Sequence, residues 1–150
     1  MADIVLNDAL GRLAEKLDDG ADLIVIPLSA DDIDATIKDG YAGNSTLTNF
    51  LGAAGNTEQT GSTWARKVHL NAAITVTIDD SGDKVVVLLD ADDTWTAVAG
   101  SNDTVSLIIC EDAASDPIRF VLTKHDFVVV TDGNDVTADY HATNGIWQSS

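Results

Sequence analysis

Between Ala73 and Tyr140 the chain alternates short β-type apolar runs with turns of Asp, Gly, Asn and Ser, and this rhythm sets its fold class. Ile74, Val76 and Ile78 alternate with Thr75 and Thr77, the two-residue period of a half-buried strand. Asp79-Asp80-Ser81-Gly82-Asp83 turns the chain, and 84–89 returns to close a hairpin. Further strands are predicted at 66–70, 94–98, 105–110, 118–122, 127–130 and 136–140, with a short last one near Trp147. Ala113 to Asp116 makes a turn whose exit Pro117 pins.

The first third is less uniform. Residues 23–28 form a near-continuous apolar run, as expected of a strand covered on both faces. Pro27 cannot donate to a ladder, so that strand is predicted to end there or lie at an edge. Leu6, Leu10, Leu13 and Leu17 share one helical face, which makes 1–20 a candidate N-terminal helix, with an extended arm as the alternative. Ser29 reads as an N-cap for a short helix over 30–39 that stops at Gly40. A second short helix is predicted over 46–51, and 52–63 reads as a flexible loop. The expected fold is therefore mainly β, an antiparallel sandwich or barrel of about eight to ten short strands with one to three short helices in the N-terminal third. At 150 residues, 1–150 is expected to be a single β-rich domain.

Charge bounds the partners. The net charge is −17, and 22 of the 25 acids are Asp. Asp bonds nearby backbone and favours turns, whereas Glu favours helices, so this acid load belongs on loop tips. Eight Lys and Arg cannot form the basic stripe that nucleic acid requires, and an anionic membrane would repel the chain. No apolar run approaches a membrane span, and the start lacks the basic region of a signal peptide. The single Cys110 excludes an internal disulfide and reads as a small buried hydrophobe.

No constellation announces a reaction. Asp79, Asp80 and Asp83, then Asp90, Asp92 and Asp93, then Asp132 and Asp135 could supply oxygen ligands to Ca²⁺, but none fits an EF-hand loop, and solvated turns account for them. His69, His125 and His141 lie apart, without zinc-site spacing. Lys124-His125-Asp126 sets a His beside an acid, yet no nucleophile elbow accompanies it. No catalytic residue, metal ligand or cofactor is therefore assigned, and the chain is expected not to be an enzyme. Trp64, Arg66 and Lys67 form the candidate interface, because Trp and Arg are typical anchors and this is the one basic pair. The competing reading gives Arg66 and Lys67 to bridges with nearby Asp within the molecule.

Several stretches carry a resemblance: Trp64-Ala65-Arg66-Lys67, Thr75-Val76-Thr77-Ile78-Asp79-Asp80, Asp93-Thr94-Trp95-Thr96, Leu107-Ile108-Ile109-Cys110, 118–127 and Thr131-Asp132-Gly133. Together they resemble small virion structural proteins of tailed bacteriophages, of the capsid decoration (cement) type. The resemblance implies a protein made in the host cytoplasm that sits on the capsid surface, as a trimer or dimer, and binds the major capsid protein to stabilise the shell. A tail, neck or fibre component of the virion is the alternative, as is a cation- or carbohydrate-binding β module.

Overall fold

The computed structural model describes residues 4–5, 17, 19–32, 46–79, 84–89, 91–140 and 146–149. Its strands are β1 (Ile4–Val5), β2 (Leu23–Ala30), β3 (Thr57–Glu58), β4 (Lys67–His69), β5 (Ile74–Asp79), β6 (Lys84–Leu89), β7 (Asp93–Trp95), β8 (Thr104–Glu111), β9 (Val121–Val129), β10 (Val136–Ala138) and β11 (Trp147–Ser149). A helix, α1 (Leu47–Gly52), follows β2 in the chain. The fold is mainly β, antiparallel and sandwich-like, as the alternation in the sequence predicts.

The main sheet runs β1-β9-β8-β2-β3, and β4 also pairs with β2. The apolar run in β2 is explained by this central place: all six residues from Leu23 to Leu28 are buried. The hairpin β5–β6 forms in the predicted register, Ile74 opposite Leu89 and Asp79 opposite Lys84, and β11 adds to β6. A small ribbon pairs β7 with β10. Leu23, Ile26, Leu28, Ile108, Ile109, Phe50 and Trp95 are fully shielded in the core, and Cys110 is buried with them.

Several expectations about local structure change. Pro27 does not end β2, which runs on to Ala30 and lies inside the sheet. On one flank β8 pairs along the strand, while on the other β4 pairs with Leu23 to Val25 and β3 takes over at Leu28. The Pro27 carbonyl accepts from Gln59 N at 2.9 Å on that second flank. A residue's N and C=O point the same way in an antiparallel strand. The missing donor therefore faces Gln59 on the same flank, and the Pro27–Gln59 pair makes one ladder bond where two other residues would exchange two. Ser29 is a strand residue whose hydroxyl donates to Thr57 O, so it caps no helix, and Ala30 belongs to β2. The rest of the helix expected over 30–39 lies outside the described residues from 33 onward. Of the N-terminal 1–20, Ile4–Val5 is extended and Leu17 is helical and buried. The remainder, apart from 19–20, lies outside the described residues.

The second predicted helix is present as α1, with Thr46 at its N-cap and Leu47 and Phe50 turned into the core. The stretch 52–63, expected as a flexible loop, contains β3 and is bonded to the sheet. Asn56 Nδ2 donates to Phe50 O at 3.0 Å, and Gln59 Nε2 donates to Asp103 O at 2.8 Å. The separate strands expected at 118–122 and 127–130 are one strand, β9, preceded by a short 3-10 turn at Asp116–Ile118.

The aspartates do the turn work expected of them. Asp22, Asp92, Asp103, Asp132 and Asp135 each accept a backbone N–H, from Asn71, Tyr140, Thr131, Asn134 and Ala97 respectively. Asp132 prepares the turn at Gly133, whose φ of +96° suits glycine.

Candidate interaction surface

Trp64, Arg66 and Lys67 lead into β4, but they do not form a free docking surface. Trp64 is 5% exposed, and its Nε1 donates to Asn102 O at 2.7 Å. Its ring lies 4.7 Å from that of Trp95, which in turn donates to Ala65 O and approaches Phe127. Trp64 is thus a core residue, which corrects its place in the candidate interface. Lys67 donates to Thr94 O at 2.9 Å and sits 5.5 Å above the Trp95 ring, a cation–π contact that ties β4 to β7.

Arg66 belongs to an ion-pair network. It makes fork-to-fork pairs with Glu58 of β3 and with Asp116, at 2.7–2.9 Å. Arg119 joins the same network through Asp116 at 2.6 Å and Asp112 at 2.7 Å. The hydrogen bonds it donates to Glu58, and then to Asp116, push Arg66 further up from its ordinary value. The Arg66 bonds hold the Asp116 carboxyl down at about 2, with Arg119 assisting. The intramolecular reading of Arg66 is the one the geometry gives. Its partners come from β3 and the turn after β8, so the network closes a seam between segments distant in sequence.

Two further clusters escaped the sequence reading. His69 Nε2 lies 3.1 Å from Asp93 Oδ2, and Tyr140 OH donates to the same oxygen at 2.7 Å. His69 and Asp93 are both buried, and the imidazole meets the Tyr140 ring edge-on. Burial, then the neighbouring Asp93, drives the Tyr140 hydroxyl well above its ordinary value, which keeps it a donor. The cluster pins β4 to the β7–β10 ribbon. The second cluster surrounds Lys124, which is completely buried in β9 beside Asp126 and Asp31. The polar neighbours of Lys124 and the turn signals of Asp93 gave no hint that either side chain points inward.

His125 approaches Thr123 Oγ1 at 3.0 Å, on a different strand from His69, and His141 lies outside the described residues. Burial raises the Cys110 thiol far above its ordinary range. Among the described residues no group of three or more His, Cys, Asp or Glu side chains is placed to hold a metal ion. No described helix is long and apolar enough to cross a membrane.

Each cation whose side chain is described has a partner inside the molecule: Arg66, Lys67, Arg119 and Lys124. Meanwhile Asp19, Asp92, Asp103, Asp132, Asp135 and Asp139 are exposed. The described exterior is therefore anionic almost throughout. Its largest apolar exposures are Val128 and Val130, near the end of β9. Comparison with protein-family models, with curated proteins and with solved structures finds no match.

Proposed function

We propose that this chain is a non-enzymatic structural component of a tailed-phage virion, most specifically a head decoration protein that docks on the major capsid protein and stabilises the shell. The observation that carries this reading is the fate of the cations. Arg66, Lys67, Arg119 and Lys124, the cations whose side chains are described, are spent on internal seams, which leaves a described exterior that is acidic, suited to a surface of opposite charge and ill suited to nucleic acid or anionic lipid. The bonded turns fit the same role, since a rigid scaffold loses little entropy on docking. Exposed Val128 and Val130 offer apolar area for such a contact. Repetition over many sites lets each contact be modest.

The test is made on particles of the virus that encodes the chain. Purified virions are expected to contain it in stoichiometric amount, at positions on the head visible by electron cryomicroscopy. Virions lacking it are expected to lose DNA at a lower temperature or in low salt. Its absence from virions defeats the proposal, and density confined to the neck or tail replaces it with the alternative position. Equal robustness of virions without it removes the stabilising role.

A further inference from the structure

Lys124 is the least expected buried group in the molecule. It has no solvent exposure, although ammonium groups are almost never fully enclosed. Its surroundings follow from strand register. Ile26, Ile108 and Lys124 stand side by side across β2, β8 and β9, and Leu28, Ser106 and Asp126 form the next row on the same face. Asp31 follows the last residue of β2 and folds over that row. The result brings four polar side chains together. Lys124 Nζ lies 2.8 Å from Asp126 Oδ1 and 3.5 Å from Asp31 Oδ1, and Ser106 Oγ donates to Asp31 Oδ2 at 2.5 Å. The Asp31 side chain is 5% exposed and Ser106 is fully buried.

The Lys124 ammonium faces the carboxylates of Asp31 and Asp126 in a site that largely excludes water. An enclosed ion pair recovers little of the hydration it gives up. A neutral amide would remove one charge of each sign and leave Asp126 at the more open edge, where its side chain is 22% exposed. We propose that Lys124 and Asp31 join in an intramolecular isopeptide bond, with Asp126 carrying the protons and Ser106 holding the reacting carboxyl group.

The step balances without a co-reactant. Asp126 takes a proton from the Lys124 ammonium and delivers it to Asp31 Oδ1. The freed amine lone pair attacks Asp31 Cγ, and the carbon–nitrogen bond forms. Negative charge then develops on Oδ2, the oxygen that the Ser106 hydroxyl already bonds. Asp126 removes a second proton from the nitrogen and passes it to Oδ1. The Cγ–Oδ1 bond breaks and water leaves. Nitrogen has lost two protons and the carboxylate one oxygen; nothing is oxidised or reduced, and Asp126 is regenerated. Fixed neighbours replace a bimolecular encounter, and the shielded site keeps water from reversing the reaction. Nothing in this step depends on where the protein docks.

The experiment is mass spectrometry of the full chain, denatured after prolonged incubation in the folded state. The expected mass is lower than that of the sequence by one water. Trypsin is expected to spare Lys124, so that residues 17–38 emerge joined to 120–150. A full intact mass, or a water loss that fragmentation places anywhere else, such as a succinimide at Asp132-Gly133, overturns the proposal. The variant Lys124→Arg is expected at its full mass. The variant Asp126→Asn is expected to keep the circular dichroism of the parent while forming the bond at least tenfold more slowly; an unchanged rate would overturn the role given to Asp126.

Discussion

Tyr140 and His69 converge on a single oxygen of Asp93, and that shared acceptor makes the small cluster sensitive to any one change. Replacing Tyr140 by Phe keeps the ring against His69 and deletes the bond to the carboxylate. A hydrogen bond to a charged partner contributes about 1.5–3 kcal/mol, and urea denaturation of Tyr140→Phe is expected to show a loss in that range. Alkali tests two buried acids together. The Cys110 thiol and the Tyr140 hydroxyl are both raised, chiefly by burial, above ordinary values of 9.0 and 10.0. Their neutral forms favour the folded state, so this stability is complete below those values. It is lost as pH rises past them, because the unfolded chain ionises first. Melting curves between pH 8 and 11 are expected to show a falling Tm, with a shallower fall in Cys110→Ala than in the parent. Asp116 works in the opposite sense. Held at about 2 against an ordinary 3.8, it stabilises the fold above pH 3.8 and loses that contribution as pH drops toward 2. The acid limb is expected to flatten in Asp116→Asn.

At the scale of elements, periodicity carried most of the information. The threonine–apolar alternation of 74–78 and the acidic turn after it specify a hairpin locally, and β5 and β6 form there. The unbroken apolar run of 23–28 likewise announces a strand covered on both faces. Pro27 misled because its meaning depends on what faces its ring, and that is fixed only when β3 and β4 arrive from later in the chain. Since the ladder bond that alanine could add to Gln59 offsets a freer unfolded chain, Pro27→Ala is expected to cost less than about 1 kcal/mol. A drop well beyond that in chemical denaturation would mean that the ring itself packs. Lys124-His125-Asp126 misled for a related reason. Polar letters inside an apolar run signal a break, and only the register of β9 against β8 turns Lys124 inward instead. The same blindness hid the seams. Arg66 was legible as an anchor, but its partners Glu58 and Asp116 were legible only as charges. Trp64 could not be sorted between core and surface without Trp95 beside it.

Across the whole molecule, the acid excess opposes compaction by self-repulsion, which dissolved ions screen. The Tm is expected to rise as sodium chloride goes from about 0.01 M to about 0.5 M, spanning Debye lengths of roughly 30 Å to a few ångströms. Differential scanning calorimetry over that series would expose a fold held chiefly by surface ion pairs, because such a fold would soften with salt instead. The same screening is expected to weaken docking on a basic partner while it firms the isolated chain. The internal use of Arg66, Lys67, Arg119 and Lys124 has one more consequence. With a net charge of −17 and these four cations engaged internally, the described surface of each molecule offers little positive charge to set between neighbours. Any ordered layer of them must import its counter-charge, so the tightest spacing they reach is dictated by the basic groups or metal cations of whatever lies underneath.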